Sequence, residues 1–127
     1  MINEDYCSYE VAKLLKEKGF NEPIWTRYED DNEVIFGDKY DWNNSPMSQT
    51  SAPTLQMAMK WLREEKDVLI YVYPVIDLTV KSNNTFFWEW DGKKKRHDAP
   101  HIGDKYNYES PEQAVEAALK YVLENLV

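Results

Sequence analysis

The chain predicts an α+β fold: three helices packed on one face of a mostly antiparallel sheet of about four strands, in the order αββαββα. A helical string recurs three times, as AKLLKEKG from Ala12, MKWLREEK from Met59 and LKYVLEN from Leu119. In each, a lysine (Lys13, Lys60, Lys120) precedes a bulky apolar residue and an aliphatic one, with an acid (Glu17, Glu64, Glu124) further on. That spacing sets an apolar stripe on one side of a helix and charges on the other. Between the strings lie short runs of β-branched and aromatic residues separated by turn chemistry, and strands grouped between helices point to α+β layering. A helix followed by strands occurs twice, which suggests an internal pseudo-repeat of helix and hairpin. Helices built from Lys, Leu, Ala and Glu also resemble one another by composition alone, and both readings stand at this point.

Taken in order, Ser8 is the predicted N-cap of a first helix over residues 9–18, with Val11, Leu14 and Leu15 buried and Gly19 free to take the left-handed turn that stops it. Residues 24–29 and 33–40 suit strands, and Asp30, Asp31 and Asn32 supply the turn of a hairpin. Residues 41–51, DWNNSPMSQTS, carry no period and read as a loop. The second helix is expected to be capped near Ser51, with Pro53 in its first turn, where a missing N–H costs little. Leu55, Ala58, Met59 and Leu62 form its stripe.

From Asp67 the pattern changes to a strand over 68–73. Pro74 interrupts it, so that strand lies at an edge, bulges or ends there. Ile76, Leu78 and Val80 alternate with polar residues, Ser82, Asn83 and Asn84 make a turn, and Phe86, Trp88 and Trp90 alternate along a further strand closed by Gly92. Residues 93–108 show no helical or strand period. The third helix has Ser110 as N-cap, Pro111 at its first position and Gln113 completing a capping box, with Val115, Ala118, Leu119, Val122 and Leu126 along its stripe.

Size and charge narrow the function classes. One domain is expected of 127 residues, and 43% hydrophobic with 14% aromatic content implies folding despite a net charge of −8. No apolar stretch approaches the roughly 20 residues of a bilayer span, and the start MINEDYCSYE lacks the basic and apolar regions of a secretory leader. A soluble cytoplasmic protein is expected, in keeping with a lone Cys7. The acidic balance argues against nucleic acid or an anionic membrane as partner.

Few residues suggest chemistry. His97 and His101 form an i, i+4 pair with Asp98 and Asp104 nearby, the residue types of a metal or acid–base site, but Pro100 breaks the helical turn that would align the rings. Solvated histidines are the plainer reading. Cys7 precedes a helix start, where the dipole favours a thiolate, although packing under the helix entry accounts for it as well. Gly19, Gly37, Gly92 and Gly103 stand apart, so there is no phosphate cradle or dinucleotide fingerprint, and no cofactor is expected. Glu29, Asp30, Asp31 and Glu33 crowd the first hairpin turn without the spacing of a calcium loop. They read as a solvated turn that discourages edge pairing.

Aromatic surplus gives the clearest hint of a binding surface. Five tryptophans and nine tyrosines exceed the needs of one small core. Tyr71, Tyr73, Trp88 and Trp90 are candidates to share a sheet face, either as the core face or as an uncovered binding face. Lys93, Lys94, Lys95 and Arg96 form the single basic block, either solvated or meeting an anionic partner.

The segments SYEVAKLLKEKGFNEP, SAPTLQMAMKWLRE and SPEQAVEAALKYVLENL resemble a group of short proteins common in Bacteroides-type gut bacteria, their phages and mobile elements included. The resemblance covers the three helices and little of the strands. It implies a small intracellular α+β protein and assigns no catalytic or binding residue. The expected function is a non-enzymatic interaction module, an accessory protein that meets a protein partner or a second copy of itself through an aromatic sheet face or edge. The alternative is a small metal-binding protein or enzyme built on His97 and His101.

Overall fold

A computed structural model describes residues 4–30, 33–75, 85–92 and 108–127. The fold is α+β, with helices α1 (Tyr9–Glu17), α2 (Leu55–Glu65) and α3 (Pro111–Asn125) and strands β1 (Ile24–Tyr28), β2 (Val34–Tyr40), β3 (Thr50–Ser51), β4 (Val68–Val75) and β5 (Thr85–Gly92). The strands form two antiparallel sheets, β2–β1–β3 and β4–β5, where one sheet of about four was expected. The extra strand, β3, is only two residues long. It lies in the segment read as a loop, because two residues show no period.

Local chemistry sets the helix ends. Ser8 Oγ accepts from Val11 N at 3.2 Å, as an N-cap should. At the other end of α1, Gly19 takes φ +95°, letting Phe20 N donate to Leu15 O (3.0 Å) and Gly19 N to Lys16 O (3.2 Å). This Schellman closure folds Phe20 back into the core. Ser110 Oγ caps α3 through Gln113 N at 3.2 Å, while Gln113 Oε1 reaches back to Glu109 N at 3.0 Å.

The start of α2 differs from expectation: its N-cap is Thr54, whose hydroxyl accepts from Met57 N at 3.1 Å. The cause is pairing with the segment before α1. Cys7 N donates to Pro53 O and Leu55 N to Asp5 O, both at 2.9 Å, which holds residues 53–54 extended. Ser51 belongs to β3, and its hydroxyl accepts from Asn43 N.

The largest core joins all three helices with both sheets. Val11 and Leu15 of α1, Ala58, Trp61 and Leu62 of α2, and Ala114, Ala118, Leu119, Val122 and Leu123 of α3 meet Ile24, Val68, Ile70, Trp88 and Trp90. Ala114 and Ala118 let α3 approach its neighbours closely. Helices α2 and α3 pack on β4–β5, whereas α1 packs on α3 and β3. A smaller core of Ala12, Tyr28 and Ala52 lies under β1. No helix among the described residues is long and apolar enough to cross a membrane.

Strand β4 runs through Pro74, which pairs with Phe86, so the proline does not end it. Among the described residues β4 pairs with β5 alone, and the outer side of an edge strand tolerates a missing N–H. The alternation expected at Ile76, Leu78 and Val80 and the turn at Ser82, Asn83 and Asn84 lie outside the described residues.

Candidate functional site

The register of β4 with β5 separates the four aromatic residues expected to share a face. Ile70 pairs with Trp90 and Val72 with Trp88, while Tyr71 pairs with Glu89 and Tyr73 with Phe87. Because side chains alternate along a strand, Trp88 and Trp90 point one way and Tyr71 and Tyr73 the other. The two tryptophans are 4% and 5% exposed, packed in the main core, with Trp88 against Tyr121 at 5.3 Å between ring centroids. Their indole N–H groups have no hydrogen-bond partner among the described residues. Trp88 and Trp90 are therefore core residues. Tyr71 and Tyr73 stack on each other outside, with centroids 6.2 Å apart.

The basic block Lys93, Lys94, Lys95 and Arg96 and the set His97, Asp98, His101 and Asp104 lie outside the described residues. Among the described residues, no group of three or more His, Cys, Asp or Glu side chains is placed to hold a metal ion. In the acidic turn, Glu29 accepts from Arg27 at 2.9 Å and from Gln49 Nε2 at 3.2 Å.

Cys7 is fully buried, and its thiol donates weakly to Thr54 O at 3.8 Å. Burial pushes the thiol well above its ordinary pKa of 9.0, and the carboxylate of Glu116 acts in the same direction. A protonated, enclosed thiol is a packing residue and a poor nucleophile. The surroundings are a fastening point: Tyr28 Oη donates to Cys7 O at 2.6 Å, and Glu116 of α3 accepts from Ser8 N (2.7 Å) and Ser8 Oγ (2.8 Å). Burial, then Cys7 and Glu116, raises Tyr28 as well.

A second group of exposed apolar side chains, Trp25, Phe36, Tyr40 and Met57, lies around the β1–β2 hairpin. Between Ile24↔Tyr40 and Thr26↔Phe36 the register slips, so that Trp25 alone faces Gly37, Asp38 and Lys39. Such a bulge bends and twists its strand. It comes with Trp25 at 59% and Phe36 at 69% exposure. Phe36 stands edge-on to Tyr6, with centroids 5.9 Å apart at 89°. These residues, with Glu4, Pro53 and Met57, line a groove of about 520 Å³ between the hairpin and the first turn of α2.

The bulge is braced from within. Arg27 lies 4.5 Å over the Trp42 ring and pairs with Glu29, and Trp42 Nε1 donates to Ile24 O at 2.8 Å. Gly37 leaves room for the guanidinium, since a Cβ there would stand 2.5 Å from Arg27 Nη1.

β2 is an outer strand, paired among the described residues with β1 alone, and residues 36–40 are exposed. Sequence reasoning missed this groove because its walls come from separate segments, the hairpin and the stretches around residues 4–6 and 53–57, that long-range pairing brings together. One available signal was Trp25 itself, between the buried Ile24 and Thr26.

No protein-family model matches the chain, and neither a curated protein nor a solved structure was found to be similar to it.

Proposed function

We propose that the protein is a non-enzymatic interaction module that docks a protein partner in the groove beside β2. The observation that carries this reading is the cluster of Trp25, Phe36 and Met57, left in solvent around a concave apolar surface next to a strand edge. Exposed aromatic groups around a depression are the anchors of protein interfaces, since each buries a large area at small entropic cost. An open strand edge adds backbone donors and acceptors to the same surface.

The wider reading is of an accessory protein acting inside the cell, of the kind carried by phages and mobile elements of Bacteroides-type bacteria. The likeness of the three helical segments supports it. The order helix then hairpin, in α1–β1–β2 and again in α2–β4–β5, supports an internal pseudo-repeat in which one hairpin serves the core and the other the partner.

Site-specific photo-crosslinking tests the docking reading. A benzophenone side chain at position 36 is expected to give a discrete adduct that Met57→Ala weakens, while the same group at position 73 gives none. A chain that stays monomeric in light scattering and yields no adduct from position 36 would sink the proposal.

A further inference from the structure

Charge identifies the class of partner, given the docking reading above. Between residues 24 and 44 stand six acids, Glu29, Asp30, Asp31, Glu33, Asp38 and Asp41, against two bases, Arg27 and Lys39, a net −4 of the chain's −8. Half of the net charge thus sits on about a sixth of the sequence. Arg27 is already committed to Glu29 and to the Trp42 ring, so it offers little to a partner. Glu33 and Asp38, before and within β2, are exposed, as is Glu4 at the groove.

From this we infer that the occupant is a cationic extended segment of another protein, added as a strand along the open edge of β2, with apolar side chains in the groove and lysine or arginine at alternating positions. Strand addition requires that successive side chains of the newcomer point to opposite faces. Those on the side of Phe36 enter the groove lined by Tyr6, Pro53 and Met57. Glu33 and Asp38 are exposed along this edge, and carboxylates there draw in a cationic segment, since opposite charge accelerates encounter and sets register. A second copy of the chain fits poorly, because pairing two β2 edges would bring two acid-rich hairpins together.

The test uses the full chain and three capped nine-residue peptides alternating valine with lysine, serine or glutamate, followed through backbone amide shifts. The lysine peptide is expected to shift the amides of residues 34–40 and to bind about tenfold more tightly than the serine peptide at low salt. That gap should shrink several-fold as salt rises and the screening length falls from roughly 30 to 8 Å. The glutamate peptide should bind more weakly than the serine one. Replacing alternate lysines of the lysine peptide by proline should abolish binding, since strand addition needs the backbone N–H groups. The double variant Glu33→Lys with Asp38→Lys, which takes the segment from net −4 to zero, should abolish the preference for the lysine peptide.

Equal binding of the three peptides would overturn the charge assignment while leaving groove docking intact. Shifts confined to β4 and β5, or none with any peptide, would overturn strand addition at β2, and the crosslink from position 36 would still report separately on docking. A concentration-dependent dimer that protects the amides of residues 34–40 would overturn it in favour of a second copy.

Discussion

The β4–β5 hairpin turns Ile70, Trp88 and Trp90 toward α2 and α3, whereas the β1–β2 hairpin buries Ile24, Thr26 and Tyr28 of its inner strand and leaves Phe36 and Tyr40 of its outer strand in solvent. Both hairpins carry aromatic residues at alternating or nearly alternating positions. What separates them is the cover supplied by helices. An indole ring moved out of water contributes roughly 4–6 kcal/mol as an upper estimate, from about 150–250 Å² at 25 cal/mol per Å². Two such rings anchor β5 to the core, whereas residues 36–40 of β2, beside the bulge opposite Trp25, are exposed. One hairpin therefore serves stability, and the other leaves aromatic side chains in solvent.

The largest expected effect sets the two directly against each other. Trp90→Ala empties a packed site beneath α2 and α3 and should cost about 3–5 kcal/mol. Trp25→Ala, at an exposed bulge, should change stability by no more than about 0.5 kcal/mol. Denaturant titrations followed by far-UV circular dichroism measure both, and similar losses in the two variants would break the comparison.

The glycines extend the contrast at a smaller scale. A Cβ on Gly92 would stand 2.7 Å from the backbone oxygen of Asp67, which cannot move without disturbing the α2–β4 junction. Gly92→Ala should therefore cost about 1–3 kcal/mol. A Cβ on Gly37 clashes with the tip of the Arg27 side chain, which can swing away, and meets the Trp42 ring at an ordinary contact of 3.5 Å, so Gly37→Ala should cost under about 1 kcal/mol. Its expected signature is a change in Trp42 fluorescence as the guanidinium leaves the ring. The same denaturant series compares the pair, and a more damaging Gly37→Ala would reverse the assignment of rigid and yielding surroundings.

Much of this division was legible in the residues, and its decisive step was not. The caps at Ser8 and Ser110, the stop at Gly19 and the stripes of all three helices rest on interactions within a turn or two, which spacing reports well. The period of β5 also announced that Trp88 and Trp90 share a side. Spacing does not report which side, because that depends on the pairing with β4 and on where α2 and α3 lie. For the same reason Tyr71 and Tyr73 could not be parted from the tryptophans until the register was known. The start of α2 was displaced by a contact with residues 5–7, almost fifty positions away in the chain. The groove lies beside a bulge, and a register slip set by the pairing of two strands leaves no periodic trace in either.

The fastening of the open hairpin to the core gives a pH-dependent test. Cys7 and Tyr28 are both held in their protonated, neutral forms, by burial first and then by nearby charge, so their folded pKa values lie above the unfolded ones. A raised acid contributes stability that is complete below its unfolded pKa and is lost as pH rises through that value toward the folded one. Stability should therefore hold steady at neutral pH with respect to these groups. Above about pH 9 it should fall, with each group adding a slope of at most about 1.4 kcal/mol per pH unit. Cys7→Ala should flatten the onset near pH 9 relative to the parent, and Tyr28→Phe the part near pH 10. Urea midpoints measured from pH 7 to 10.5 give the answer, and an unchanged alkaline slope in both variants would place the loss elsewhere in the molecule.

The smallest expected effect bears most directly on the division of labour. Phe36 is exposed and its ring touches chiefly Tyr6, so Phe36→Ala gives up one edge-on aromatic contact, worth about 0.5–1 kcal/mol at most, in part offset by no longer holding an apolar ring in water. The net change in unfolding free energy should be within about 0.5 kcal/mol. Binding of the alternating lysine–valine peptide should nevertheless fall at least about tenfold, since an anchor side chain of an interface commonly carries more than about 1.4 kcal/mol. Loss of recognition without loss of stability is the pattern expected of a side chain kept outside for a partner. Equal losses of both would make Phe36 a structural residue and return the β1–β2 hairpin to the same role as β4–β5.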